Sequence, residues 1–341
     1  MSGEPQKRAR ATHATTTHAR EAAEALLLKG NAVDAVIAGV LAAAAIEPSV
    51  ILGPLQLLFG GGGAGLQAIS GRLLQPGKGQ DRPRGFRDGD RIPDAARVAV
   101  PALPAAIVAA LATAGQATLG QVAGPALELA KGSQRHGVID QVARLGARAF
   151  TEGKLGDELY HAANRVAGGT LSREDLDDVT VGAERCTLVM AGSGERGMLT
   201  VPWGSRAVLP ENTEPGLDAR RVHAVVAVDR NGLFAIACYE EHQDVLRIDE
   251  LGLAAPLMAE PVRRGKTRVK PGTVLEAAFP AALVEKAGAF ELAFAVVQSP
   301  TGEADARALV NVALEGERIG APSHGRLLAV AQTGDHATSF G

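Results

Sequence analysis

HAREAAEALLLKGNAVDAVIAGVLAAAAIEPSVILGPLQLLFGGGG, residues 18–63, decides how the rest of the chain is read. Ala22, Ala25, Leu26 and Lys29 recur at helical spacing, with Glu21 and Glu24 near the start, where negative charge suits the helix dipole. Gly30-Asn31 supplies a left-handed stop, and Asn31 or Asp34 can cap a following helix over about Ala32 to Ile46. That second helix is almost entirely Ala, Val and Ile, with no charge between Asp34 and Glu47. A helix that is apolar all round is a buried one, and its small side chains allow it to lie close to a sheet. An extended apolar run and the four glycines Gly60–Gly63 follow.

Composition sets the frame for this core. With 46% hydrophobic and 21% charged residues, the 341-residue chain is globular. Aromatic residues are only 3%, so the core must be built from small and branched aliphatics. A net charge of -3 offers nothing for a nucleic acid or a membrane surface. Cys186 and Cys238 make no disulfide framework and read as buried thiols of a reducing compartment. The basic start MSGEPQKRARATHATTTHAR is followed by no apolar signal segment, and the apolar run Ala35 to Ile46 is too short to span a bilayer. The expectation is a soluble, cytoplasmic protein. His13 with His18, and His223 with His242, have no further ligands at metal spacing. Gly60–Gly63 lacks the Gly-Lys-Ser/Thr of a phosphate loop. Neither metal nor cofactor is expected.

Outward from the quoted stretch, residues 1–12 are polar and expected to be flexible, and 13–341 form one domain. Its first part is 13–202, its linker 203–221 and its second part 222–341. Arg97 to Pro101 reads as a short strand, Pro104 to Ala114 and Gly120 to Lys131 as helices, and Asp140 to Ala167 as one or two more. Ser172 and Asp175 form a capping-box pattern. Cys186 to Met190 and Gly197 to Val201 read as strands. Val222 to Ala237 is the clearest hairpin, turning at Asp229-Arg230-Asn231-Gly232. Val269 to Pro280 and Ala289 to Gln298 are extended, Ala304 to Glu315 is helical, and Gly325 to Ala331 reads as the last strand.

These motifs together resemble the gamma-glutamyltransferase (gamma-glutamyltranspeptidase) family of N-terminal-nucleophile hydrolases. Lys29 to Val36 matches the family phrase GGNAVDAAVA, Ile46-Glu47-Pro48 its VVEP, and Gly60–Gly63 its GGGG. Pro125 to Ala130 and Gly168 to Leu176 match later phrases in the same order. The resemblance implies an α+β fold, a four-layer αββα sandwich, and a nucleophile freed by self-cleavage. The long helical lobe that the family inserts before its catalytic strand is absent here, where only Trp203 to Arg221 intervenes.

The family's nucleophile is a threonine opening the hairpin, and its terminal amine acts as base. Counting back from Asp229 places Val222 there, or Arg221 if His223 sets the register. Neither can attack a carbonyl. Gly79 stands at the carboxylate-binding arginine when Pro83 sets the register, with Arg72, Arg82 and Arg84 as displaced candidates. Glu276 and Ala277 stand at the substrate-binding serine pair. Gln298-Ser299-Pro300-Thr301-Gly302 replaces the oxyanion phrase GSPGG, with Thr301 in place of a glycine. Cys238 with His242 is the alternative nucleophile pair, Cys238 being read more readily as core and Glu240 to Asp244 as a solvated turn. Ser193 and Thr200 lie near turns without a clear base.

The favoured expectation is a non-catalytic, unprocessed family member acting as a binding or assembly subunit, with a second copy of itself or an active homologue. The alternatives are an active gamma-glutamyl hydrolase or transferase, and an amide hydrolase using Cys238.

Overall fold

The computed structural model describes residues 10–81, 84–185, 188–191, 196–199, 220–286 and 288–341. Cys186, Arg82, Pro83, Ser193, Thr200 and linker residues 203–219 lie outside them.

The stretch quoted above folds as two helices, α1 (Thr17–Leu27) and α2 (Ala32–Ile46). Asn31 and Asp34 share the capping of α2. The Asn31 side chain accepts from the Val33 and Asp34 amides, and Asp34 Oδ2 accepts from the Asn31 amide at 2.9 Å. Asp34 is fully buried. Its carboxylate also takes the amides of Gln116 and Ala117 at 3.1–3.2 Å, tying the start of α2 to the loop after α3 (Leu103–Ala114). The small side chains of α2 do bring it against a sheet. A Cβ at Gly39 would stand 2.8 Å from Val225 Cγ2 and 2.9 Å from the Ala19 carbonyl oxygen.

Two six-stranded antiparallel sheets follow from the strands. The first contains β1 (Ala11–Ala14), β2 (Leu55–Gly61), β3 (Ala64–Gly71), β4 (Ala183–Arg185), β7 (Arg220–Val228) and β8 (Leu233–His242), in the order β1-β7-β8-β2-β3-β4. The second has the order β14-β13-β12-β11-β6-β5. Its members are β5 (Leu188–Ala191), β6 (Arg196–Leu199), β11 (Ala281–Lys286), β12 (Ala289–Val297), β13 (Arg326–Thr333) and β14 (His336–Phe340). A short ribbon pairs β9 (Val245–Ile248) with β10 (Leu253–Pro256). The remaining helices are α4 (Leu119–Ala130), α5 (Arg135–Leu145), α6 (Lys154–Asn164), α7 (Arg173–Asp177) and α8 (Gly302–Leu314). No helix among the described residues is long and apolar enough to cross a membrane.

Among the described residues, three large hydrophobic clusters and a small fourth around Leu73, Ala99, Ala259 and Leu275 hold these elements. The largest joins α1–α6 to the first sheet through residues such as Val36, Leu41, Leu57, Val225 and Tyr239. A second contains residues of both sheets, including Leu58, Val226, Ile236, Cys238, Leu283, Ala295 and Leu328. The third joins α8 to the second sheet through Phe294, Val310 and Ala329. The fold is therefore mixed α and β, with antiparallel sheets packed through side chains of alternating direction.

Several boundaries differ from the sequence expectations. Ala11 and Thr12 are not loose, because they pair with Val228 and Ala227 of β7. Arg97 to Pro101 is not a strand. A 3-10 turn at Asp94–Arg97 leads to a single bridge between Val100 and Leu74. Residues 269–280 are not extended throughout: a turn at Pro271-Gly272, where Thr273 N–H donates to the Lys270 carbonyl at 3.1 Å, precedes the bridge of Val274 to Leu74. The chain does not end its second sheet at β13, since β14 adds an edge strand. Arg220 and Arg221 belong to β7 rather than to a linker.

Candidate functional site

The hairpin expected from its Asn-Gly turn sits at the centre of the first sheet. Asp229 closes it, its Oδ1 accepting from the Asn231 and Leu233 amides at 2.7 and 3.2 Å, and Gly232 has φ 78°. Register then fixes the head of β7: Arg220 lies opposite His242, Arg221 opposite Glu241, Val222 opposite Glu240 and His223 opposite Tyr239. Pairing runs without interruption through the peptide joining Arg221 to Val222. No hydroxyl or thiol stands at Arg220, Arg221 or Val222.

Alternation sends the side chains of this hairpin two ways. Ala224, Val226, Cys238 and their neighbours face the second sheet. Glu240 and His242 share that direction by register. Both are buried, so residues 240–242 continue β8 rather than forming the expected solvated turn. Glu240 Oε2 lies 3.0 Å from His242 Nε2, and Glu240 Oε1 accepts from the Ala278 amide at 3.0 Å. Gln56, a buried polar residue within the apolar strand β2, donates from Nε2 to the carbonyls of Ala277 and Ala278 at 3.4 and 2.9 Å. Glu303 of α8 accepts from the Phe279 amide at 2.8 Å. Three side chains from three elements thus hold the 277–279 backbone, which lies outside the sheets.

Sequence reasoning named Glu276 and Ala277 in that segment and missed Gln56, Glu240 and Glu303. The signal was present for two of them: Gln56 interrupts LQLLF, and Glu240 alternates with Cys238 and His242. Glu276 is exposed, while Ala277 is buried. Arg72 donates from Nε to Ser70 Oγ at 2.9 Å. Half-burial pushes its guanidinium pKa down, and the charges of Glu184 and Glu276 push it back up. Those two carboxylates already complement Arg72, one of the arginines considered as a substrate grip. Gly79 lies in a turn anchored from α7. The buried Asp175 carboxylate takes the Gly77 and Lys78 amides at 2.7 and 2.9 Å while also completing the Ser172 capping box. Gly79 has φ 64°, and a Cβ there would collide with Glu174 Oε2.

The 298–302 segment is brought to the same end of the hairpin. The Gln298 amide donates to the Val222 carbonyl at 3.1 Å. Gln298 has φ 55°, the one positive φ outside glycine among the described residues, at a cost of about 1–2 kcal/mol. Thr301 N–H is engaged by Ser299 Oγ at 3.1 Å, and the Ser299 and Thr301 hydroxyls both donate to Asp305 Oδ2, at 2.9 and 2.8 Å. An oxyanion donor must be aimed at empty space before the reaction, and the Thr301 amide already has an acceptor. Gly302 is held closely, a Cβ there lying 3.1 Å from Pro280 Cβ.

Cys238 and His242 share a face but not a contact. They are four residues apart on one strand, which separates their Cα atoms by about 13 Å. Cys238 is wholly enclosed between the sheets. Burial first, then the nearby charges of Glu303 and Glu240, push its thiol pKa far above the ordinary thiol range. The nucleophilic form is the thiolate, and this site disfavours it.

On the opposite face of the same strand ends, His223 stacks on Tyr239 with centroids 5.4 Å apart and planes at 13°. Its Nε2 lies 3.1 Å from Glu241 Oε2. Burial lowers the His223 pKa, and Glu241 partly restores it. Burial also raises the pKa of Glu47, reinforced by Glu241 and opposed by Arg135 and Arg221.

Comparison with known proteins bears on the fold. Two solved structures of LmbA2991 superpose on the chain with TM-scores of 0.73 and 0.71, each at 14% identity, covering 99% of this chain and 98% of theirs. The cephalosporin acylase from Bacillus halodurans superposes with a TM-score of 0.65 at 14% identity, covering 93% of this chain and 83% of its own. The chain shares its overall fold with these solved structures. A gamma-glutamyltranspeptidase from Pseudomonas nitroreducens aligns over 56% of this chain and 70% of its own, at 18% identity and a TM-score of 0.46. No family model and no curated protein sequence matches the chain.

Proposed function

We propose that the chain is a gamma-glutamyltransferase-like protein with a four-layer αββα core that has lost the catalytic threonine. It remains one unprocessed cytoplasmic polypeptide and acts as a binding or assembly subunit, with a second copy of itself or with an active homologue. The observation that carries this reading is the register at the head of β7. In an autoprocessed hydrolase the nucleophile is a new chain terminus. Here its counterpart Val222 is a mid-strand residue, with Arg221 and Arg220 still paired to β8 before it.

The rest of the site supports the same reading. The amide of Thr301 is committed to Ser299, Arg72 is complemented by Glu184 and Glu276, and the buried Glu240 and half-buried Glu303 hold backbone. Loss of a single oxyanion donor alone costs about a hundredfold or more in rate, and here the nucleophile is absent as well.

Intact mass spectrometry of the purified full chain tests the proposal. One species at 35.0 kDa, with no release of a chromogenic gamma-glutamyl anilide, is the expected result. Two fragments with a new terminus near Val222, or turnover of the anilide, would overturn it.

A further inference from the structure

A hollow of about 380 Å3 opens between the 91–95 segment, the C-terminal end of α6 and β9. Its apolar part includes Ile92, Pro93, Ala162 and Leu246, and Val166 stands 54% exposed at its edge. Its charged part is Arg91, Arg165 and Arg247, with Asp94 as the one acidic lining residue. Arg165 lies 3.4 Å from Glu250 Oε1. Arg91 and Arg247 reach the hollow from different segments, and neither has an ion-pair partner among the described residues.

The walls are held independently of any ligand. Asn164 Nδ2 donates to the carbonyls of Tyr160 and Leu171, both at 2.9 Å, fixing the end of α6. Arg97 bridges Asp244 at 2.8 Å and donates to the Leu257 carbonyl at 3.0 Å, fixing the turn that leads into β9. Pairing with β10 completes that wall.

Guanidinium groups converging on one hollow repel each other unless an anion lies between them. Their planar donor forks match carboxylate and phosphate oxygens, often two bonds at a time. The apolar part of the wall gives the remainder of such a molecule somewhere to sit, and the volume falls in the range of small-molecule sites. We propose that this hollow binds a small organic anion, an apolar body carrying a carboxylate or a phosphate monoester head. The proposal is separate from the reading of the hairpin, and binding is expected whether or not the chain is processed.

Calorimetric and saturation-transfer titrations of the full chain test it, with 3-phenylpropionate and phenyl phosphate as probes and benzyl alcohol as the neutral control. At least one anion should bind saturably, more weakly at high salt, with benzyl alcohol at least about tenfold weaker. Whichever anion binds more tightly identifies the head group. Arg91→Gln and Arg247→Gln should each weaken binding about tenfold, the scale of one lost charge-assisted hydrogen bond. Arg247→Lys should recover part of the loss. Both arginines are exposed, so the folded state should survive, with an unchanged circular dichroism spectrum as the check. Absence of saturable binding by both anions would overturn the proposal. So would equal affinity for benzyl alcohol, or affinity unchanged by both glutamine substitutions.

Discussion

Replacing Asp34 with Ala removes the acceptor on which three backbone amides converge. The amides of Asn31, Gln116 and Ala117 all end on this fully buried carboxylate. Leaving a buried donor unmet costs about 1–3 kcal/mol. Two of the three bonds are only part-buried, so water can reach those amides after some local opening, and the low end applies to them. The total expected for Asp34→Ala is about 4 kcal/mol, a large share of the 5–15 kcal/mol by which a typical domain is stable. Asp34→Asn keeps one oxygen but turns an amide group toward donors, and about 2 kcal/mol is expected. Asp90→Ala is the control, because Asp90 accepts one exposed amide, that of Arg87, and should cost under about 0.5 kcal/mol. Urea unfolding followed by far-ultraviolet circular dichroism, with unchanged slope, reads these values. Losses below about 1 kcal/mol for both Asp34 variants would refute the idea that this carboxylate fastens α2 to the loop beyond α3. Gly30→Ala should act on the same joint, since a Cβ there would intrude on Asp34 Oδ2.

Three further outcomes are expected. Gly39→Val should destabilise by about 1–3 kcal/mol or more in the same unfolding assay, because its Cβ would press on Val225 and on the Ala19 carbonyl. Native protein treated with iodoacetamide should leave Cys238 unmodified in peptide mapping and should label it after denaturation, since burial both hides the thiol and raises its pKa. The His223 pKa in the folded state lies below its ordinary 6.5, so the unfolded chain binds more protons as pH falls through that value. The stability contributed by the neutral ring is complete above pH 6.5 and is lost as pH falls towards the folded pKa. Thermal midpoints measured across that window should fall less steeply with acidification for His223→Gln than for the native chain.

The parts legible in the sequence were those governed by neighbours along the chain. Asn31 with Asp34, and Ser172 with Asp175, are capping patterns whose partners are three residues apart, and the structure uses both. Asp229 to Gly232 set the hairpin turn for the same reason. What stayed hidden depends on contacts made across the chain. The four residues of β1 have no strong local preference and become a strand only because β7 lies beside them. Glu240 and His242 look solvated among charged neighbours; their alternation with Cys238 places them on its face, but it is packing on both faces of β8 that buries them. At the site, the place of Val222 at the head of the hairpin could be read from its spacing to Asp229. The use of Gln56, Glu240 and Glu303 to hold residues 277–279 could not, since those partners lie 222, 38 and 24 residues away along the chain.

The strand order of the first sheet has a mechanical consequence. β7 and β8 come from the later part of the chain, yet they are inserted between β1 and β2 from the earlier part. In the second sheet, β6 is likewise zipped to β11. A backbone break anywhere between Leu199 and Arg220 would therefore leave two pieces woven together like interlaced fingers. Such a nicked molecule would keep its shape and elute as one particle, and two separately encoded halves produced in the same cell would be expected to knit into the same body.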